Sequence, residues 1–182
     1  MRKVYIRSSK SPQTTLVFFV GKKNSKKRMV QDYRYLNKWT VKNNYPLFLI
    51  LDIVENIDTK KVFTKLDLWW RYNNVWIKER DEWKVVFTTP EGSFEPTVMF
   101  FDLTNLLAMF QTIINEILWD LINTGKVASF IDDIIVGTEG KEEHNKIVEE
   151  VVRRLAENNL YVKPEKCKCI ICKSTHPEIT FL

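Results

Sequence analysis

The hydrophobic positions of this chain switch between a period of two and a period near 3.6, and the switches mark its elements. Thr14–Val20, "TTLVFFV", is a run of β-branched and aromatic residues and predicts a strand. Arg28–Leu36, "RMVQDYRYL", begins as a second. Between them "GKKNSKKR" (Gly21–Arg28) offers Gly21 and Asn24-Ser25 as turn formers, which predicts a hairpin with a basic tip. Leu47–Ile57 has apolar residues at helical spacing behind Pro46, a residue suited to a first turn. Lys60–Leu68, "KKVFTKLDL", alternates Val62, Thr64 and Leu66 against Phe63, Lys65 and Asp67, so a strand is expected with Asp67 at its C-terminal end.

Trp83–Met99 reads as a hairpin turning at Pro90-Glu91-Gly92. Leu103–Thr124 is a long helix stopped before Gly125. Val127–Ile131 and Ile134–Val136 are two short strands joined at Asp132-Asp133. Glu142–Asn159 is an amphipathic helix with Ile147, Val151 and Leu155 in register, and "LYVKPEKC" opens as a last short strand. His144 reads as a solvated residue of that helix. Strands and helices mix without strict βαβ alternation, so the expected class is α+β.

Composition narrows the function classes. The chain has 182 residues, 45% of them hydrophobic and 13% aromatic, enough to bury a real core and too much for a disordered tail. The net charge of +5 fits a polyanionic partner, and five of the 28 basic residues lie in the eight positions Gly21–Arg28. Leu103–Ile122 is the best candidate for a membrane span, but Asn105, Gln111, Asn115, Glu116 and Asp120 argue against one, and no membrane partner is expected. The N-terminus is basic without an apolar core, so no signal peptide is read there. Three cysteines, all within Cys167–Cys172, argue against a secreted disulfide framework and for an intracellular setting, cytoplasm or nucleus. Oligomeric state is not legible.

The stretch "VASFIDDIIVGT" (Val127–Thr138) carries the chemistry. Two adjacent carboxylates between apolar strands are costly to bury unless paired, hydrogen-bonded or bound to metal. They repel one another, which either raises a pKa or calls for a divalent cation, and hard oxygen ligands suit Mg²⁺ or Mn²⁺. Asp67, at the end of its own strand, would complete a trio suited to two-metal phosphoryl transfer. Asp-Asp is also an ordinary turn sequence, and residues alone do not separate a polymerase from a nuclease or another phosphotransferase.

"VQDYRYLNKWTVKNNYPL" (Val30–Leu47), "FTKLDL" (Phe63–Leu68), "VFTTPEGSFE" (Val86–Glu95), "FIDD" (Phe130–Asp133) and "EEHNKIVEEVVRRLAENNLYVKPEKC" resemble the reverse transcriptase domain of gypsy-like long-terminal-repeat retrotransposons. The resemblance runs from about Arg7 to Cys167. It implies the fingers and palm of a right-hand polymerase, with an antiparallel palm sheet carrying helices on one face and no thumb. Fingers would comprise about 12–58 and 83–99, the palm about 59–82 and 100–167, and 168–182 a divergent tail. Asp67, Asp132 and Asp133 would be catalytic and hold two Mg²⁺ or Mn²⁺ ions, with the Leu68 carbonyl beside them. Lys22, Lys23 and Arg28 would face the incoming triphosphate, Tyr72 would lie under its sugar as a gate against ribonucleotides, and Gln111 would shape the template or nucleotide region or serve packing. Implied partners are a primed RNA or DNA template and a deoxynucleoside triphosphate.

The chain also departs from the family pattern. Trp70 and Arg71 stand where small residues usually let backbone approach the triphosphate. Phe100 replaces a proline, Asp102 a glycine, Leu106-Leu107 a small-proline pair and Met109 a threonine. If the replaced glycine has positive φ, Asp102 adds strain. The run after Cys167 departs from the family, and primer-gripping, thumb and later regions are not read. Cys167, Cys169, Cys172 and His176 form C-x-C-x₂-C-x₃-H, but C-x-C is tighter than zinc sites use, which favours free thiols over zinc. The expected function is RNA-directed DNA polymerisation weakened by these changes. The rivals are a catalytically dead remnant that binds nucleic acid through Lys22, Lys23, Lys26, Lys27 and Arg28, and an RNA-directed RNA polymerase, against which Tyr72 argues.

Overall fold

A computed structural model describes residues 5–21, 27–45, 60–69, 75–131 and 133–171, the backbone alone at 169–171. The chain divides into two compact units, Met1–Asn44 with Tyr72–Leu107, and Tyr45–Arg71 with Ala108–Leu182.

In the first unit, β1 (Ile6–Ser8), β2 (Thr15–Gly21), β3 (Lys27–Gln31), β5 (Phe87–Thr89) and β6 (Gly92–Pro96) form one sheet in the order β1-β6-β5-β2-β3. The two strands of the expected basic hairpin are paired, β2 and β3 running antiparallel out to Gly21 opposite Lys27, while 22–26 lie outside the described residues. The expected β5–β6 hairpin closes with Thr89 opposite Gly92, but its first residues fold differently, because Glu82–Val85 is a 3-10 turn. A short helix, α1 (Arg34–Trp39), follows β3. Tyr33 anchors this unit. Its ring is buried, its hydroxyl donates to the Val85 carbonyl at 2.8 Å, and burial pushes its pKa up.

In the second unit, β4 (Val62–Trp69), β7 (Val127–Phe130), β8 (Asp133–Thr138) and β10 (Lys168–Ile171) make an antiparallel sheet in the order β10-β4-β8-β7, with β9 (Tyr161–Val162) also on β4. Two helices complete it, α2 (Leu106–Asn123) and α3 (Lys141–Glu157). Phe110, Ile114 and Leu118 recur at one-turn spacing on α2 and are fully buried; Val151 and Leu155 do the same on α3. Arg154 of α3 ties the helices together, donating to both carboxylate oxygens of Asp120 on α2 and, at 2.6 Å, to Glu150. That guanidinium holds the Asp120 carboxyl below the usual range.

Hydrogen bonds from both helices reach the same sheet face: His144 of α3 meets Thr64 and Thr138, and Gln111 of α2 meets Ser129, the cross-strand partner of Ile134. The α+β architecture with helices on one face of an antiparallel sheet is therefore as the sequence implied. Phe63 is as buried as Val62 on β4, which has strands on both edges. Two expectations need correction. The long helix begins at Leu106 rather than Leu103, after a turn in which Asp102 has φ +80°. Lys168–Ile171, read as part of a divergent tail, is a strand paired with Val62–Lys65. The helix expected over Leu47–Ile57 lies outside the described residues. No described helix is long and apolar enough to cross a membrane.

Candidate active site

Asp67 and Asp133 are opposite residues of the β4–β8 ladder. The Asp67 carbonyl accepts from the Lys163 N–H at 2.7 Å, so the Asp67 backbone points towards β9. Gly137 N–H donates to Lys126 O, which directs Gly137, Ile135 and Asp133 towards β7. Asp67 and Asp133 thus form a non-hydrogen-bonded pair, the close type, with Cα atoms about 4.5 Å apart and side chains on one face. Both are buried, 9% and 7% exposed. Local sequence brings this about simply: each acid sits at one end of a strongly apolar strand, and antiparallel pairing aligns the two ends.

Like charges directly opposite one another are destabilising, so the pair needs counter-charge. Two lysines supply it. Lys65, two residues before Asp67 on the same strand face, places Nζ 2.7 Å from Asp133 Oδ2, and Lys166 Nζ lies 3.5 Å from Asp67 Oδ2. Neither lysine was singled out from sequence; the i−2 spacing of Lys65 from Asp67 was the available signal. Hard carboxylate oxygens on one strand face that already draw positive charge fit a divalent cation. The Leu68 carbonyl is compatible with the same role. Leu68 follows Asp67, so its carbonyl points away from β9, to the β8 side. Asp132 lies outside the described residues, and no cluster of three or more His, Cys, Asp or Glu occurs among the described ones.

Gln111 is 1% exposed and both ends of its amide are engaged. Oε1 accepts the Ile131 N–H at 2.7 Å, while Nε2 donates to Ser129 Oγ at 2.7 Å, Asn115 Oδ1 at 2.8 Å and Ser129 O at 3.2 Å. Ser129 Oγ donates to Asn115 Oδ1, and Asn115 Nδ2 donates to the Tyr45 hydroxyl, each at 2.8 Å. Two roles were expected for Gln111, and these bonds fit the packing one. Asn115 and Ser129 went unnoticed in the sequence, where only their polarity amid apolar neighbours could have marked them.

On the first unit, Arg28 stacks its guanidinium over Phe101, 4.9 Å from the ring centroid. The expected strain at Asp102 is present as φ +80°, and its carbonyl accepts from Asn37 Nδ2 at 2.6 Å. Lys22, Lys23, Lys26, Trp70, Arg71 and Tyr72 lie outside the described residues, as do Cys172 and His176. Cys167 Sγ donates to the Lys163 carbonyl at 3.3 Å.

His144 is not the solvated residue expected. It is 2% exposed, with Nε2 2.7 Å from Thr64 Oγ1 on β4 and Nδ1 3.0 Å from Thr138 Oγ1 on β8, and burial lowers its pKa. It bridges, from the opposite face, the two strands that carry the acids. Its spacing from Ile147, Val151 and Leu155 continues the buried stripe of α3 and could have revealed it.

Comparison with known proteins finds relatives in sequence and in fold. Residues 20–182 match the family model described as reverse transcriptase (RNA-dependent DNA polymerase). The Tf2-3 transposon polyprotein of Schizosaccharomyces pombe is 38% identical over 163 residues, which are 90% of this chain and 12% of the polyprotein. The Tf2-7 polyprotein of the same yeast is 37% identical over the same extent. The chain therefore spans about an eighth of these relatives. Among solved structures, the foamy viral protease-reverse transcriptase in complex with dsDNA superposes with a TM-score of 0.83 at 26% identity, over 98% of this chain and 36% of that one. The same enzyme in complex with an RNA/DNA hybrid gives 0.81 at 26% identity, over 90% and 22%.

Proposed function

This chain belongs to the reverse transcriptase family, of the kind found in gypsy-like retrotransposons, and we propose that it is the fingers and palm of an RNA-directed DNA polymerase. The opposed pair Asp67–Asp133 carries the proposal. The reaction is attack by a primer 3′-hydroxyl on the α-phosphorus of a deoxynucleoside triphosphate. A new P–O bond forms, the bond to pyrophosphate breaks, and the hydroxyl proton leaves to solvent. The first unit would be the fingers and the second the palm. The template would be RNA or DNA, as the foamy viral relatives' complexes with dsDNA and with RNA/DNA hybrid suggest, and the work intracellular.

Asp67, Asp132, Asp133 and the Leu68 carbonyl would hold two Mg²⁺ or Mn²⁺ ions. When bound, such ions supply Lewis-acid activation of the hydroxyl and neutralise charge on the triphosphate. The remaining work falls to the chain. The β4–β8 ladder fixes both acids before substrate arrives, which saves reorganisation during the reaction. Lys65 and Lys166 balance the acids' charge in the absence of cations. Arg28, Lys22 and Lys23 bind the triphosphate, Arg28 with its plane already set by Phe101. Tyr72 excludes the ribose 2′-hydroxyl. Gln111 serves the nucleotide site indirectly.

One observation favours a weakened or dead version. Asp102 adds a carboxylate and a positive-φ strain where the family uses glycine. Primer extension on an RNA template with Mg²⁺ or Mn²⁺ separates the readings. We expect slow extension, reduced at least about 100-fold by Asp132→Asn or Asp67→Asn. Absence of extension, together with salt-sensitive RNA binding that Lys22 and Lys23 substitutions weaken, leaves the remnant.

A further inference from the structure

The turn between β7 and β8 contains a residue in a conformation that its chemistry disfavours. Ile131 has φ +53°. A β-branched side chain at positive φ is an outlier, and such residues persist only where surroundings over-determine them. Ile131 lies between Phe130, which pairs with Asp133, and the Asp132-Asp133 dipeptide. Strain is thus stored two residues before Asp133.

Gln111 is the group that holds it. An N–H can only donate, so the Ile131 contact fixes the amide with Oε1 towards the turn. The Nε2 end is then tied to Ser129 on β7 and to Asn115 one turn along α2. Asn115 is fixed in turn by Ser129 Oγ and the Tyr45 hydroxyl. Every polar atom of the Gln111 amide is used, in a site closed to water. The clamp runs from the rigid helix to the turn, and it grips both the last residues of β7 and the strained peptide beyond them. A hydrophobic residue of the same size would fill the space and leave the Ile131 N–H unpaired.

We propose that Gln111 is a positioning residue: by holding Ile131 at positive φ it sets where Asp133 stands relative to Asp67. This rests on the reading of those acids as metal ligands. It takes Gln111 out of direct nucleotide contact and gives it an effect on cation affinity, as outer-shell hydrogen bonds have at metal sites.

The test uses the full 182-residue chain, with Gln111→Leu, Asp67→Asn, and Leu118→Ala as a destabilised control from the same helix face. Two quantities are measured: hydrogen exchange of the amides in 129–133, and Mn²⁺ affinity by water-proton relaxation. Gln111→Leu should speed exchange at Ile131 about tenfold or more and weaken Mn²⁺ binding about 10- to 100-fold. Leu118→Ala should lower the melting temperature while leaving Mn²⁺ affinity within about twofold of wild type. Adding Ile131→Gly to Gln111→Leu should recover most of the lost affinity, since glycine needs no clamp at positive φ. Unchanged exchange at Ile131 overturns the proposal, as does equal loss of Mn²⁺ affinity in Leu118→Ala or no recovery with glycine. Mn²⁺ binding that ignores Asp67→Asn overturns the metal reading itself, and this inference with it.

Discussion

Asp67 and Asp133 face each other across two antiparallel strands at the close, non-hydrogen-bonded position of the ladder. Such a pair costs stability unless positive charge joins it. Lys65 and Lys166 do so in part, at 2.7 and 3.5 Å, and a divalent cation would do so more strongly. Cation binding should therefore stabilise the fold. At tenfold excess over its dissociation constant, Mn²⁺ should add about 1.4 kcal/mol, or about 3 to 5 °C in melting temperature for a chain of this size. Asp67→Asn should abolish that shift. Thermal melts with Mn²⁺ and with a chelator check it; an equal shift in the variant sinks the shared-cation reading.

His144 makes stability depend on pH. Buried between Thr64 and Thr138, its folded pKa is below the ordinary 6.5. The unfolded chain therefore binds the proton more readily. The contribution is fully present above about pH 6.5 and is lost as pH falls from there through the folded value. Carboxylates held low by arginine or lysine, such as Asp120 and Glu143, titrate further down the scale. Urea unfolding at about pH 7.5 and about pH 5.5 should show wild type losing stability, and His144→Leu losing much less.

At Asp102 a carboxylate residue occupies φ +80°. Asp102→Gly should relieve about 1 kcal/mol of backbone strain. Part of this is offset by the greater freedom of glycine in the unfolded chain. The Asn37 bond is to the backbone carbonyl and should survive. Denaturant midpoints should rise slightly, and primer extension should rise with them if the added carboxylate repels substrate. A fall in both would show that Asp102 is fitted to its turn.

The strand β10 covers the edge of β4 over Val62–Lys65. A chain ending at Cys167 leaves that backbone unpaired, close in sequence to Asp67. Loss of about three ladder hydrogen bonds should cost about 3 kcal/mol, and the bare edge should promote association. Melting and light scattering of the truncated chain check this. Unaltered behaviour would mean that Lys168–Ile171 adds nothing to the sheet.

Much of the fold was legible because it is written in short-range periods. The alternation at Lys60–Leu68, the 3.6-residue spacing of Phe110, Ile114 and Leu118, and the basic turn after Gly21 each fix an element from residues close in sequence. Burial on both faces of β4 was not legible, since it depends on neighbours that its own sequence does not contain. His144 was misread for a related reason. Glu142, Glu143, Asn145 and Lys146 make its surroundings look wet, while the Thr64 hydroxyl that receives it is 80 residues away.

The sequence by itself determined the long strands, the two long helices and the acids near the strand ends, because side-chain direction follows from local period; β1, α1 and β10 were not read from it. Tertiary structure alone decided that Asp67 is opposite Asp133, that Lys65 and Lys166 serve those acids, and that Gln111 grips Ile131. Register and hydrogen-bond partnership are properties of two segments together. They are set when apolar faces are buried against each other, and no single stretch of chain contains that information.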